Sequence, residues 1–154
     1  MVTLRQPQDA ADWAEARRLV DEYAASLGID LSFQDFQNEI ASMPSEYGTP
    51  RGLFLLADDG RRFVGCGGFR PLSKKVCEMK RLYVSPPGRG LGIGRAIASE
   101  LIARARDRGY AAMRLDTLPT MQEARRMYSA LGFREIDAYR YNPVEGTTFM
   151  ELTL

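Results

Sequence analysis

The chain has 154 residues, 45% hydrophobic and 27% charged, with a net charge of +1 and no histidine. That length fits one domain, residues 1–154, with a sizeable core, and its longest apolar runs fall short of the ~20 residues of a membrane span. The missing imidazole excludes Ser-His-Asp and Cys-His nucleophile systems and any histidine-bearing metal site, leaving proton transfer to carboxylate, tyrosine, lysine, cysteine or water.

In chain order, 2-VTLR-5 reads as a short strand. From Asp9 the pattern turns helical, with Trp13, Ala16, Val20, Tyr23 and Leu27 recurring at three and four and Gly28 as the stop. A second short helix is expected with Phe33, Phe36 and Ile40 on one face and Ser32 as N-cap, and 44-PSEYGTPRG-52 reads as a loop. The runs 53-LFLLAD-58 and 62-RFVGCGGF-69, split by Asp59-Gly60, predict a hairpin. The run 75-KVCEMKRLYV-84 predicts a third antiparallel strand. Ile93, Ile97, Leu101 and Ile102 mark a helix ending near Gly109, and 111-AAMRLDT-117 a strand. Ala124, Met127, Tyr128 and Leu131 form the apolar face of a helix stopped by Gly132, before strands 133–141 and 147–153. The order β-α-α-β-β-β-α-β-α-β-β predicts one α/β domain with a mixed, mostly antiparallel sheet and helices on both faces.

Between the third strand and the long helix stands 83-YVSPPGRGLGIGRA-96, with glycines at 90, 92 and 94 between Arg89 and Arg95. The first amides of a helix have no intrahelical partner, the helix dipole adds positive charge there, and glycine lets a bulky anion approach the backbone. A diphosphate suits such a site; a tight strand-to-helix connection is the plainer alternative. A P-loop is excluded by the missing lysine, and a dinucleotide fingerprint by Arg95 or Ile97 at the position of its last glycine.

Arg89-Gly90-Leu91-Gly92-Ile93-Gly94 resembles the R/Q-x-x-G-x-G/A motif of the GNAT superfamily of N-acetyltransferases, and 80-KRLYVSP-86 and 124-ARRMYSALGF-133 resemble that family's fourth strand and last helix. The resemblance implies that Arg89, Gly90, Leu91, Gly92, Ile93, Gly94 and Arg95 grip the pyrophosphate of acetyl-CoA, without a metal. It also implies that the backbone of Leu82, Tyr83 and Val84 bonds the pantetheine arm between splayed strands, with the Leu82 amide facing the oxyanion. One departure is Met121, where many relatives carry a cofactor-contacting asparagine.

For the chemistry, Glu78 is the candidate base. It lies eleven residues before Arg89, the spacing of the glutamate base in histone-acetylating members of the family. Strict alternation would place Val76, Glu78, Lys80, Leu82 and Val84 on one side, unless a bulge intervenes. The alternative is that Glu78 pairs with a neighbouring or cross-strand cation. Tyr128 is the candidate acid for the departing thiolate; its alternative is core packing. Cys66 and Cys77, too few for a disulfide framework or zinc site, read as buried free thiols.

These residues point to a cytoplasmic acetyl-CoA-dependent N-acetyltransferase acting on a primary amine of a small molecule or peptide by direct attack, with a catalytically silent acetyl-CoA-binding module as the alternative. No signal peptide, membrane or nucleic-acid partner is expected, and a homodimer is left open. Charge is uneven: residues 1–60 carry 4 basic and 11 acidic side chains, residues 61–154 carry 17 and 9. With the acidic helices walling the acceptor site, as in similar proteins, a cationic acceptor is expected.

Overall fold

A computed structural model describes every residue except Phe33, Gln34 and Thr49. Strand β1 (Thr3–Arg5) leads into helix α1 (Ala10–Leu27), then α2 (Phe36–Ala41) and α3 (Met43–Glu46). A meander of β2 (Leu53–Asp58), β3 (Phe63–Pro71) and β4 (Val76–Val84) follows. Then come α4 (Ile93–Asp107), β5 (Ala112–Thr117), α5 (Gln122–Ala130), β6 (Arg134–Ile136) and β7 (Thr148–Thr153). One seven-stranded sheet runs β1-β2-β3-β4-β5-β7-β6, antiparallel at every junction except the parallel β4–β5 pair.

Each face of the sheet carries its own apolar cluster. Helix α4 lays Ile93, Ile97, Leu101 and Ala105 on one face, where Tyr128 of α5 joins them. Helix α1 lays Ala16, Leu19 and Val20 on the other, beside Phe36 and Tyr47. Asp9 caps α1 by accepting from the Asp12 amide, and Gly28 ends it at φ 66°. The meander's close packing needs Gly68: a Cβ there would lie 2.7 Å from the Leu53 carbonyl oxygen and from the Phe54 ring.

Four expectations change. The α2 N-cap is Asp35, in the left-handed region at φ 57°, rather than Ser32, whose amide and hydroxyl donate to Asp30; Phe33 lies outside the described residues. The loop expected from 44 to 52 begins inside α3, where Pro44 sits in the first turn and loses no bond. The strand expected over 133–141 stops at Ile136, because Tyr139 and Arg140 leave the ladder to reach the buried carboxylate of Glu78. Finally, β4 bulges. Cys66 pairs with Tyr83 but Gly68 pairs with Lys80, so the single residue Gly67 faces two residues of β4, and Arg81 takes φ 61°. The bulge reverses the alternation: Leu82 and Val84 join Cys77 and Met79 on the α4 face. Glu78 and Lys80 are left on the α1 face with Tyr83.

Candidate active site

The bulge builds the cleft. Strand β4 pairs with β5 only through Val76, Glu78 and the residue between them, opposite Ala112–Arg114. Beyond Glu78 the two strands separate, at the carboxyl ends where open α/β sheets bind ligands. The opening is walled by Met79–Leu82 of β4, Leu115 and Asp116 of β5, Tyr23 and Leu27 of α1, and Ala124 and Tyr128 of α5. It continues past Leu82, Tyr83 and Val84 into a groove formed by Gly88–Gly90, Gly92–Gly94 and the α5 residues Glu123, Ala124 and Met127.

The groove has the features of an anion cradle. Gly92 is the N-cap of α4 at φ 75°, with no side-chain cap, and Gly90 sits at φ 81°. A Cβ built on either would meet nothing within 4 Å, so both backbones face open space. The first α4 amides therefore remain available to a ligand. Arg89 is exposed at the rim; its Nε donates to the Val84 carbonyl at 3.0 Å, and its guanidinium lies 6.0 Å from the Tyr83 ring centre. Of the residues expected to hold the cofactor, Leu82, Tyr83, Val84, Arg89, Gly90, Gly92, Ile93 and Gly94 line the groove. Leu91 and Arg95 turn to solvent. Met121, the departure noted in the sequence, lines the cleft.

The two residues singled out for chemistry are placed differently. Tyr128 lines the cleft, 7% exposed, with its ring 5.5 Å from that of Phe133 and its hydroxyl bonded to no described residue. Burial raises its pKa, so it stays protonated at neutral pH. Glu78 is 1% exposed and does not line the cleft. It accepts from the Tyr139 hydroxyl at 2.7 Å and pairs with Arg140 at 2.6 Å and Arg70 at 3.8 Å, while its Oε1 has no hydrogen-bond partner among the described residues. Its observed environment thus includes the cross-strand cation Arg70, the alternative read from sequence, but buried and joined by Arg140 from outside the sheet.

Sequence reasoning missed the carboxylate that does line the cleft. Asp116 stands on β5 opposite Met79–Leu82, accepting from the Asn142 amide at 3.3 Å. A usable signal was there: it is the acidic residue at the carboxyl end of the strand parallel to β4. Also unforeseen was the buried network behind the cleft. Arg81 donates through Nε and Nη2 to Glu39 at 2.7 and 3.0 Å, and Tyr47 adds its hydroxyl at 2.7 Å. Burial alone would raise the Glu39 pKa, but Arg81 outweighs it and holds the carboxyl at about 2.

The carboxylates of the acidic N-terminal segment are not among the described residues that line the cleft. The segment does wall the cleft, with Tyr23 and Leu27 of α1 and with Leu31 beyond it. Four of its carboxylates are engaged elsewhere: Asp9 in its cap, Asp12 with Arg5, Glu22 with Arg18 and the Tyr83 hydroxyl, Glu39 with Arg81. Burial raises the thiol pKa of Cys66, and that of Cys77 to about 12, so neither is an activated nucleophile.

A profile of the acetyltransferase (GNAT) family matches residues 11–133. An uncharacterised N-acetyltransferase of Schizosaccharomyces pombe is 38% identical over 98% of this chain and 92% of its own. The Escherichia coli N-acetyltransferase YjgM is 26% identical over 78% and 75%. Among solved structures, a GNAT acetyltransferase from Staphylococcus aureus superposes with a TM-score of 0.81 over 99% of both chains at 21% identity. A Salmonella typhimurium acetyltransferase solved with its cofactor acetyl-CoA superposes at 0.73, covering 99% and 93% at 22% identity. A family match over most of the chain, a relative similar along nearly its whole length and a shared fold agree: the chain belongs to the GNAT family of acyl-CoA-dependent acetyltransferases.

Proposed function

We propose that this chain transfers an acetyl group from acetyl-CoA to a primary amine of a small molecule or peptide, by direct attack within a ternary complex. The observation that carries the reading is the continuity of the α4 glycine cradle with the splayed β4–β5 cleft, where a buried tyrosine hydroxyl and a carboxylate face each other's side of one opening. The cradle's free amides and Arg89 suit a diphosphate, and the unpaired β4 edge from Leu82 to Val84 suits an extended amide-bearing arm. Acetyl-CoA supplies an activated thioester carbonyl.

The chain's residues then divide the work. Asp116 accepts the proton that the amine must lose, directly or through one water. The Leu82 amide donates to the oxyanion. As the new C–N bond forms and the C–S bond breaks, Tyr128 donates a hydrogen bond to the departing thiolate, which then takes a proton from water, while Asp116 gives up to solvent the proton it took from the amine. Glu78, the base expected from spacing, remains a second reading because its buried Oε1 has no hydrogen-bond partner among the described residues and would be satisfied by a water that relays the proton. A cytoplasmic setting is supported by the two buried free cysteines.

The test is thiol release from acetyl-CoA with a panel of amines, for wild type, Asp116→Asn and Glu78→Gln. Asp116→Asn is expected to lower kcat by roughly 10²-fold or more with CoA affinity kept. The reverse ranking would move the base to Glu78. CoA binding without thiol release for any amine would replace the enzyme by a silent binding module.

A further inference from the structure

Between Ile136 and Thr148 the chain forms neither helix nor strand, yet side chains tie it to β4, β7 and α5. The Tyr139 hydroxyl and Arg140 reach Glu78 of β4 at 2.7 and 2.6 Å. The Tyr139 ring packs on Phe149 of β7, with ring centres 5.2 Å apart. At the far end, Arg125 of α5 donates to the Gly146 carbonyl at 2.7 Å and to the carbonyl and hydroxyl of Thr117, the last residue of β5, at 3.0 and 2.8 Å. Connecting segments are usually the more mobile parts of a fold; this one is a strap held from both ends.

Asn142 stands in the middle of the strap, half-buried, and lines the cleft. Its Oδ1 accepts from the Val144 backbone N–H at 2.9 Å, which turns Nδ2 toward Asp116, where it donates to Oδ2 at 3.3 Å. Asp116 lies beyond Arg114, the last β5 residue paired with β4, so its carboxylate opens onto the cleft. Among the described residues, the Asn142 amide supplies the side-chain bond that fixes it. Fixing matters, because a displacement of about 1 Å in a reacting group can cost on the order of 10²-fold in rate.

Resting on the reading of Asp116 as the base, we propose that Asn142 is its positioning residue. The amide holds Oδ2 and turns Oδ1 to the attacking amine, the strap fixes the amide, and Asn142 itself exchanges no proton.

The experiment measures thiol release from acetyl-CoA with benzylamine, L-phenylalaninamide, L-lysine and spermidine, and follows the amine that wild type turns over fastest. Asn142→Ser and Asn142→Asp both keep an oxygen for the Val144 N–H and lose the donor to Asp116. Each is expected to lower kcat roughly 10- to 100-fold. Acceptor KM and CoA affinity should stay within about twofold, whereas a side chain that only held the acceptor would raise KM. In an Asp116→Asn background the Asn142→Ser loss should disappear, because the amide acts through the carboxylate. Wild-type kcat in folded Asn142 variants, a raised KM at unchanged kcat, or an equal loss in both backgrounds would overturn the positioning role and leave the Asp116 base standing on its own variant. Wild-type turnover by Asp116→Asn, or no thiol release by wild type with any of these amines, would overturn the base and this proposal together. Asn142→Asp, which keeps the size and the turn, carries the comparison if Asn142→Ser does not fold.

Discussion

Tyr128→Phe separates chemistry from packing more cleanly than any other single change in this protein. The ring faces Phe133 at 5.5 Å and packs in the cluster that joins α4 and α5, and phenylalanine keeps both contacts. The hydroxyl makes no hydrogen bond to a described residue, so its removal orphans no donor or acceptor. Stability should therefore change by less than about 0.5 kcal/mol, within the range of changes that touch no special feature. Activity should respond differently. Burial raises the phenol pKa above its usual value, whereas a free thiol titrates near about 8.5. Full transfer from phenol to thiolate is uphill, and the hydroxyl works chiefly as a hydrogen-bond donor to sulfur as charge develops. Losing one such preorganised donor costs roughly 10²-fold in kcat, about 2.7 kcal/mol. The assay is thiol release at saturating acetyl-CoA and acceptor, with urea unfolding and CoA calorimetry as controls. A variant that folds, binds CoA and turns over at the wild-type rate would reduce Tyr128 to a core residue.

Two further predictions concern the cradle and the buried network. Arg89→Ala should weaken CoA binding by about 1–3 kcal/mol in calorimetry. Gly92→Val should abolish most of that binding while costing the fold only the left-handed strain, about 1–2 kcal/mol, since its Cβ meets no protein atom; unchanged CoA affinity in a folded Gly92→Val variant would remove the diphosphate from the α4 N-terminus. The Glu39 carboxyl, held at about 2 instead of 4.5, contributes stability that is fully present above pH ~4.5 and is lost as pH falls toward ~2, at most about 3 kcal/mol. Glu39→Gln leaves Arg81 buried without its counter-charge and should cost about 3–5 kcal/mol at pH 7. Its deficit should shrink as pH falls through that window, and urea midpoints that stay parallel from pH 7 to 3 would contradict the assignment.

Much of the architecture was legible because it rests on local chemistry. The apolar spacing of Trp13, Ala16, Val20 and Tyr23, the Gly28 stop, the Asp59-Gly60 turn and the glycines at 90 and 92 each act over a few residues, and each yields the element or the positive φ that its chemistry demands. The cradle was readable for the same reason: an anion site at a helix N-terminus is made of consecutive backbone groups. The acceptor side was not, because no two of its parts are neighbours in sequence. Whether Glu78 reaches the cleft depends on a bulge at Arg81, which depends on Glu39, forty-two residues away on α2. The missing half of the expected 133–141 strand was spent on Glu78, where the Tyr139 hydroxyl and Arg140 satisfy a carboxylate that no local pattern marks as buried. Net charge left the cleft's lining open for a related reason: a carboxylate's sign is fixed by its sequence, but whether that charge faces a cleft or a neighbouring arginine is decided only when distant elements pack, since burying it without a partner is costly on the scale of the fold's whole stability.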